Sequence, residues 1–208
     1  NMARMFYQAL SLKSLNLNNL HTTTNVNRMD SLFENCGNLT NLDLSSLKTG
    51  SVTTFSNMFS GCEFLGSLNL NNFDTSHVST MYEMFKDCKS LRSLDISSFN
   101  VENVNSFHYM FVNTPKLKNL DLSSFNPISG TDFSSMFQSS GVESINLKNF
   151  NTESAIDMSN MFKSDENLLS LDLSAFNTEN VENMDYMFQG LKKITSIIFV
   201  LFMVLMVF

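Results

Sequence analysis

Residues 80–99, TMYEMFKDCKSLRSLDISSF, carry two apolar rhythms side by side. Met81, Met84, Phe85 and Cys88 recur at intervals of three and four, the spacing that puts side chains on one face of a short helix. Leu94 and Ile96 instead alternate with Ser93, Asp95 and Ser97, as the residues of a half-buried strand do. A chain that changes period within this stretch predicts a helix-turn-strand unit.

The unit recurs along the chain. The frame L-x-x-L-x-L-x-x-F at Leu91, Leu94, Ile96 and Phe99 returns with strand leucines or isoleucines at 15, 42, 68, 94, 120, 145 and 171, in steps of 27, 26, 26, 26, 25 and 26 residues. Between these frames lie Met5-Phe6, Leu32-Phe33, Met58-Phe59, Met84-Phe85, Met110-Phe111, Met136-Phe137, Met161-Phe162 and Met187-Phe188. A fixed period in the twenties marks a solenoid, here an α/β solenoid with one short parallel strand and one short helical turn per 26-residue coil. A single coil has too few inward apolar side chains to offset the ordering of its backbone, so stacked neighbours must supply the remaining burial. The column Leu20, Leu47, Phe73, Phe99, Phe125, Phe150 and Phe176 is expected to run as an apolar spine.

The combined motif, LxxLxLxxF followed by N-T and then V-x-x-M-x-x-M-F-x-x-C-x-x-L, closely resembles the 26-residue surface-protein repeat of BspA-like leucine-rich proteins and mycoplasma lipoproteins. The stretches SLDISSFNVENVNSFHYMF and SLDLSAFNTENVENMDYMF carry it almost without substitution. The resemblance covers residues 1 to about 196. It implies a leucine-rich-repeat-like, right-handed coil stack on a cell surface or secreted, acting in adhesion and protein binding rather than catalysis. Coil five departs from the motif, with Pro127 and Gly130 in NPISGTDF, and is one residue short.

Composition adds little to this picture and removes some alternatives. The 208 residues include only 7 glycines and 2 prolines, with no linker-like stretch, so residues 1–196 read as one array. The net charge is −7, and the 13 basic residues do not cluster, which argues against a nucleic-acid partner. Cys36, Cys62 and Cys88 are 26 residues apart, without the close pairs that zinc needs, and point to a buried, reduced ladder. Later places in that column are held by Thr114, Asp165 and Leu191.

The outward strand column Asn16, Asp43, Asn69, Asp95, Asp121, Asn146 and Asp172 is the candidate binding face. It reads as a hydrogen-bonded or solvated ladder, as a strip for a protein partner, or, at the neighbouring Asp95 and Asp121, as a weak calcium site. Tyr82, Tyr109 and Tyr186, beside the Met-Phe motifs, are the candidate anchor residues. His21, His77 and His108 occupy different places in their coils, and no nucleophile motif or phosphate loop accompanies them. No catalytic, cofactor or metal site is therefore expected.

The chain opens inside a coil, with Met2, Met5 and Phe6 already in the pattern, which reads as a fragment. Residues 197–208 form an apolar tail, shorter than the roughly twenty residues of a membrane helix, and read as a truncated anchor or a terminal strand. Membrane association would enter only through such terminal segments. The sequence thus predicts a non-catalytic, cell-surface or secreted module that binds a host, matrix or cell-surface protein. A passive stalk and an intracellular protein-interaction scaffold are the alternatives.

Overall fold

The computed structural model describes residues 1–17, 20 and 23–199. Eight short strands follow one another: β1 (Ser14–Asn16), β2 (Asn41–Asp43), β3 (Ser67–Asn69), β4 (Ser93–Asp95), β5 (Asn119–Asp121), β6 (Ser144–Asn146), β7 (Ser170–Leu173) and β8 (Ser196–Phe199). β1 to β7 are polar-apolar-polar triplets, extended by one residue in β7, so these strands lie where the alternation places them, whereas β8 has Ile198 at the outward place. They run parallel and pair two by two, β1 with β2, β3 with β4, β5 with β6 and β7 with β8. The start of the apolar tail continues this ladder, with Ile197 opposite Leu171 and Phe199 opposite Leu173. Positions 200–208, including Phe202, lie outside the described residues. Among the described residues no helix is long and apolar enough to cross a membrane.

A second line of stacking runs through Thr54, Thr80, Ser106, Asp132, Asp157 and Asn183, each bridged in parallel to the next. Each side-chain oxygen in this line accepts from the backbone N–H two residues on, as Thr80 Oγ1 does from Tyr82 and Asp157 Oδ1 from Ser159, which bends the chain the same way in every coil.

The predicted helical turn is not there: the described residues contain no helix. Where Met81, Met84, Phe85 and Cys88 were expected to share a helix face, the backbone forms a run of turns. Met84 N–H donates to the Met81 carbonyl, Lys86 to Glu83 and Cys88 to Phe85, each at 3.2 Å. The intervening N–H groups of Glu83, Phe85 and Asp87 point along the solenoid axis and donate to His108, Met110 and Val112 in the next coil, at 2.9, 3.0 and 2.9 Å. The reason is dimensional. A helix with its side chains is about 10 Å across, whereas the coils must stack at strand spacing, about 4.8 Å. Turns let each coil bond directly to the next on this side too. The geometry needs a left-handed backbone at two places per coil, met in the β4 coil by Glu83 (φ 52) and Asp87 (φ 58). Asn35, Asn57, Gly61, Asn113, Asn160 and Gly190 hold the same places elsewhere, residue types that tolerate positive φ.

The core fills the space between these ladders. The expected apolar spine is buried from Leu47 to Phe150, and the continuous aromatic stack is a different file, the Met-Phe column: Phe6, Phe33, Phe59, Phe85, Phe111, Phe137, Phe162 and Phe188 stack in unbroken succession. Phenylalanines after the strands pack on a further inward column, as Phe73 does on Phe55 and Phe125 on Phe107. A buried threonine after the spine position locks several coils together. Thr75 Oγ1 donates to the Asn100 carbonyl at 2.7 Å and accepts from the Asn100 N–H at 2.7 Å, and Thr49 and Thr152 do the same to Asp74 and Asn177.

Candidate functional site

The outward strand residues form a file whose side chains act first on their own backbone. Asp43, Asn69, Asp95, Asp121, Asn146 and Asp172 each accept through Oδ1 the N–H two residues on, turning the chain away from the strand. Hydrogen bonds from the Ser97 and Ser174 side chains and backbones hold the Asp95 and Asp172 carboxyls below their ordinary range. At Asp121 the Ser123 backbone N–H is the main cause of the same lowering. Asn16 opens the file opposite Asp43.

Asn16 faces Asp43, Asn69 faces Asp95, and Asp121 faces Asn146. The two adjacent carboxylates, Asp95 and Asp121, belong to different ladders, since β4 and β5 do not pair. The same interruption falls between β2 and β3 and between β6 and β7, where a carboxylate stands next to an amide, so it is a feature of the stacking and not of the charges. Among the described residues no group of three His, Cys, Asp or Glu side chains is placed to hold a metal ion.

A concavity of about 580 Å³ opens on this face around the break. It is lined by the strand residues Leu68, Leu94, Leu120 and Ile145 together with Arg92, Asp95, Asp121, Asn119 and Asn146 among others. Leu94 and Ile145 are only half-buried. The sequence located these carboxylates and amides, and the strand leucines it read as inward are packed in or against the core.

The three tyrosines stand on the turn side and differ in availability. Tyr82 stacks on His108 (5.4 Å between centroids), and burial, with Glu83 beside it, pushes its hydroxyl up to about 12. Tyr109 packs against the His108 ring and carries Lys86 over its face at 5.3 Å. Tyr186 is 61% exposed, with Lys163 over its ring at 5.0 Å. Tyr109 and Tyr186 both have positive φ, 57° and 58°, an unusual backbone for a bulky side chain.

Next to them the structure brings together His108, Ser134, Asp132 and Ser106, a group the sequence did not reveal because its members come from different coils. Ser134 Oγ donates to Asp132 Oδ1 and meets His108 Nδ1 on its other side. The serine sits between carboxylate and imidazole, so its proton goes to Asp132 rather than to the histidine. This is not the order of a nucleophile activated by a base that an acid orients. His77 Nδ1 meets the Ser76 hydroxyl, and His21 lies outside the described residues. The three cysteines are buried and free, their thiols donating to the carbonyls of Phe6, Phe33 and Phe59 in the preceding coil.

These features define a β-solenoid repeat protein with a concave strand face. The sequence profile described as "Mycoplasma protein of unknown function, DUF285" matches residues 1–125, 64–168 and 116–199, and the chain belongs to that family. Among solved structures it is similar to a leucine-rich repeat protein from Bacteroides ovatus, with 16% identity and a TM-score of 0.34 over 95% of this chain. The chain spans 63% of that protein's length. No curated protein sequence matches.

Proposed function

We propose that the chain is a non-catalytic, surface-exposed binding module that takes a protein partner on its strand face, in the concavity between β3 and β6. The observation that carries this reading is a concavity lined by the half-buried Leu94 and Ile145 together with opposite charges and amides, Arg92, Asp95, Asp121 and Asn146. Apolar side chains beside polar groups are what a protein-binding patch presents. The carboxylate and amide side chains are already oriented by their own backbone bonds, which lowers the ordering cost of binding. Tyr186, exposed and fixed by Lys163, is a second contact point on the turn side. The carboxylate-bearing face and the serine-centred His108 group give no support to a catalytic reading.

Location is tested by protease shaving of intact cells that express the full-length parent with a tag inside a surface loop. Clipping from outside agrees with the surface reading. Protection until lysis overturns it and leaves an intracellular scaffold.

A further inference from the structure

The column that begins with Cys36, Cys62, Cys88 and Thr114 continues through Ser140 to Asp165 and ends at Leu191. Five of its members, Cys36, Cys62, Cys88, Thr114 and Ser140, each donate a hydrogen bond to an acceptor inside the solenoid. The cysteines donate to carbonyls of the preceding coil, Thr114 donates to Phe111, and Ser140 Oγ donates to Asp165 Oδ1 at 2.8 Å. Asp165 is fully enclosed, and its Oδ2 has no hydrogen-bond partner among the described residues. An ionised carboxylate only accepts, whereas the neutral acid also donates. With one accepted bond and Oδ2 unsatisfied in a fully enclosed place, the carboxyl is cheaper to bury neutral than ionised.

The surrounding charges do not compensate. On the same coil Lys163 lies over Tyr186, and Glu166 pairs with Lys192 of the β8 coil at 2.7 Å. Lys193 bonds to Asn167, and on the preceding coil Glu143 pairs with Lys118. Cys88, the nearest titratable member of the column, stands three places away. Burial raises the Asp165 carboxyl well above its ordinary value, against a smaller lowering by the Ser140 hydrogen bonds.

We propose that the β7 and β8 coils close around Asp165 with the uptake of one proton, making this part of the solenoid a pH-sensitive latch that is tight in acid and opens more readily as pH rises. In an opened coil the carboxyl ionises near pH 4, while in the closed coil it keeps its proton to a higher pH. Between those two values opening releases a proton, so the opening equilibrium grows by up to about tenfold per pH unit. Tyr186 and Lys163 sit on these coils, so their arrangement follows the latch. The inference does not depend on which face binds a partner.

The test is amide hydrogen exchange of the whole chain from pH 4.5 to 7.5, corrected for the intrinsic rate, comparing peptides around Phe162 and Phe188 with those around Phe85 and Phe111. Opening at Phe162 and Phe188 should rise steeply with pH relative to the inner coils. Asp165→Asn and Asp165→Cys, the latter the residue used elsewhere in the column, should flatten that difference. Equal pH dependence in all coils of the unaltered chain, or an unchanged slope in a folded variant, would overturn the proposal.

Discussion

Phe85 lies face to face over Phe111, ring centroids 5.5 Å apart and planes within 9°. The same contact recurs from Phe6 to Phe188, always between rings one coil apart. Seven such steps in register make the phenylalanine stack the axis on which the backbone ladders hang. Its geometry also shows why the Met-Phe segment is not a helix: rings this close leave no room between coils for a helix's width.

Phe85→Ala removes a ring stacked on both sides and fully buried, and should cost about 3–5 kcal/mol. Phe176→Ala, at a half-buried ring, should cost clearly less. Urea unfolding of both variants checks the ranking.

The threonine lock predicts a reciprocal pair. Thr75→Val leaves the Asn100 N–H and carbonyl without their hydroxyl partner and should destabilise by about 1–3 kcal/mol. Val101 is the buried occupant of the same place in the next coil, facing Asn126. Val101→Thr should gain about 1 kcal/mol by adding the missing lock. Thermal unfolding measures both signs.

At the left-handed positions glycine should help and alanine hurt. Gln8 (φ 56) is exposed in the column that holds Gly61 and Gly190 elsewhere, and Gln8→Gly should stabilise by up to about 1 kcal/mol. Gly61→Ala strains a φ of 72° and drives its methyl into Asn35, and should cost more than about 1 kcal/mol. Denaturant midpoints for the two variants should move in opposite directions.

The strand-face carboxylates set an acid limit of opposite sign to the Asp165 latch. Asp95, Asp121 and Asp172 titrate below their ordinary range when folded, so the stability they add is present above about pH 4 and is lost as pH falls through the folded values. Asn69 and Asn146 make the same turns without a charge. The triple variant Asp95→Asn, Asp121→Asn, Asp172→Asn should keep the fold and lose less stability between pH 4 and pH 2, as read by thermal unfolding at each pH.

The strands, their parallel stacking and the outward carboxylate file were legible in the sequence because alternation around Leu94 or Leu171 has one structural meaning when it returns every 26 residues. The helical turn was misread because the spacing of Met81, Met84, Phe85 and Cys88 is also satisfied by successive turns. The signal against a helix was present in Asn57, Gly61, Asn113 and Gly190, residues suited to positive φ at fixed places. The concavity was not legible, since its lining comes from four successive coils, β3 to β6, and no single coil encodes it. The role of Asp165 required seeing Ser140 as its column neighbour.

The measurement that tests the central claim most directly is photocrosslinking on intact cells expressing the full-length parent. A photoreactive side chain is placed at Ser93 or Asn119 on the concave strand face, and at Glu102 on an exposed turn away from it. The account predicts a discrete protein adduct from Ser93 and Asn119, weakened by Leu94→Asp, and none from Glu102. Equal labelling from all three positions, or adducts from Glu102 alone, would contradict a binding strand face.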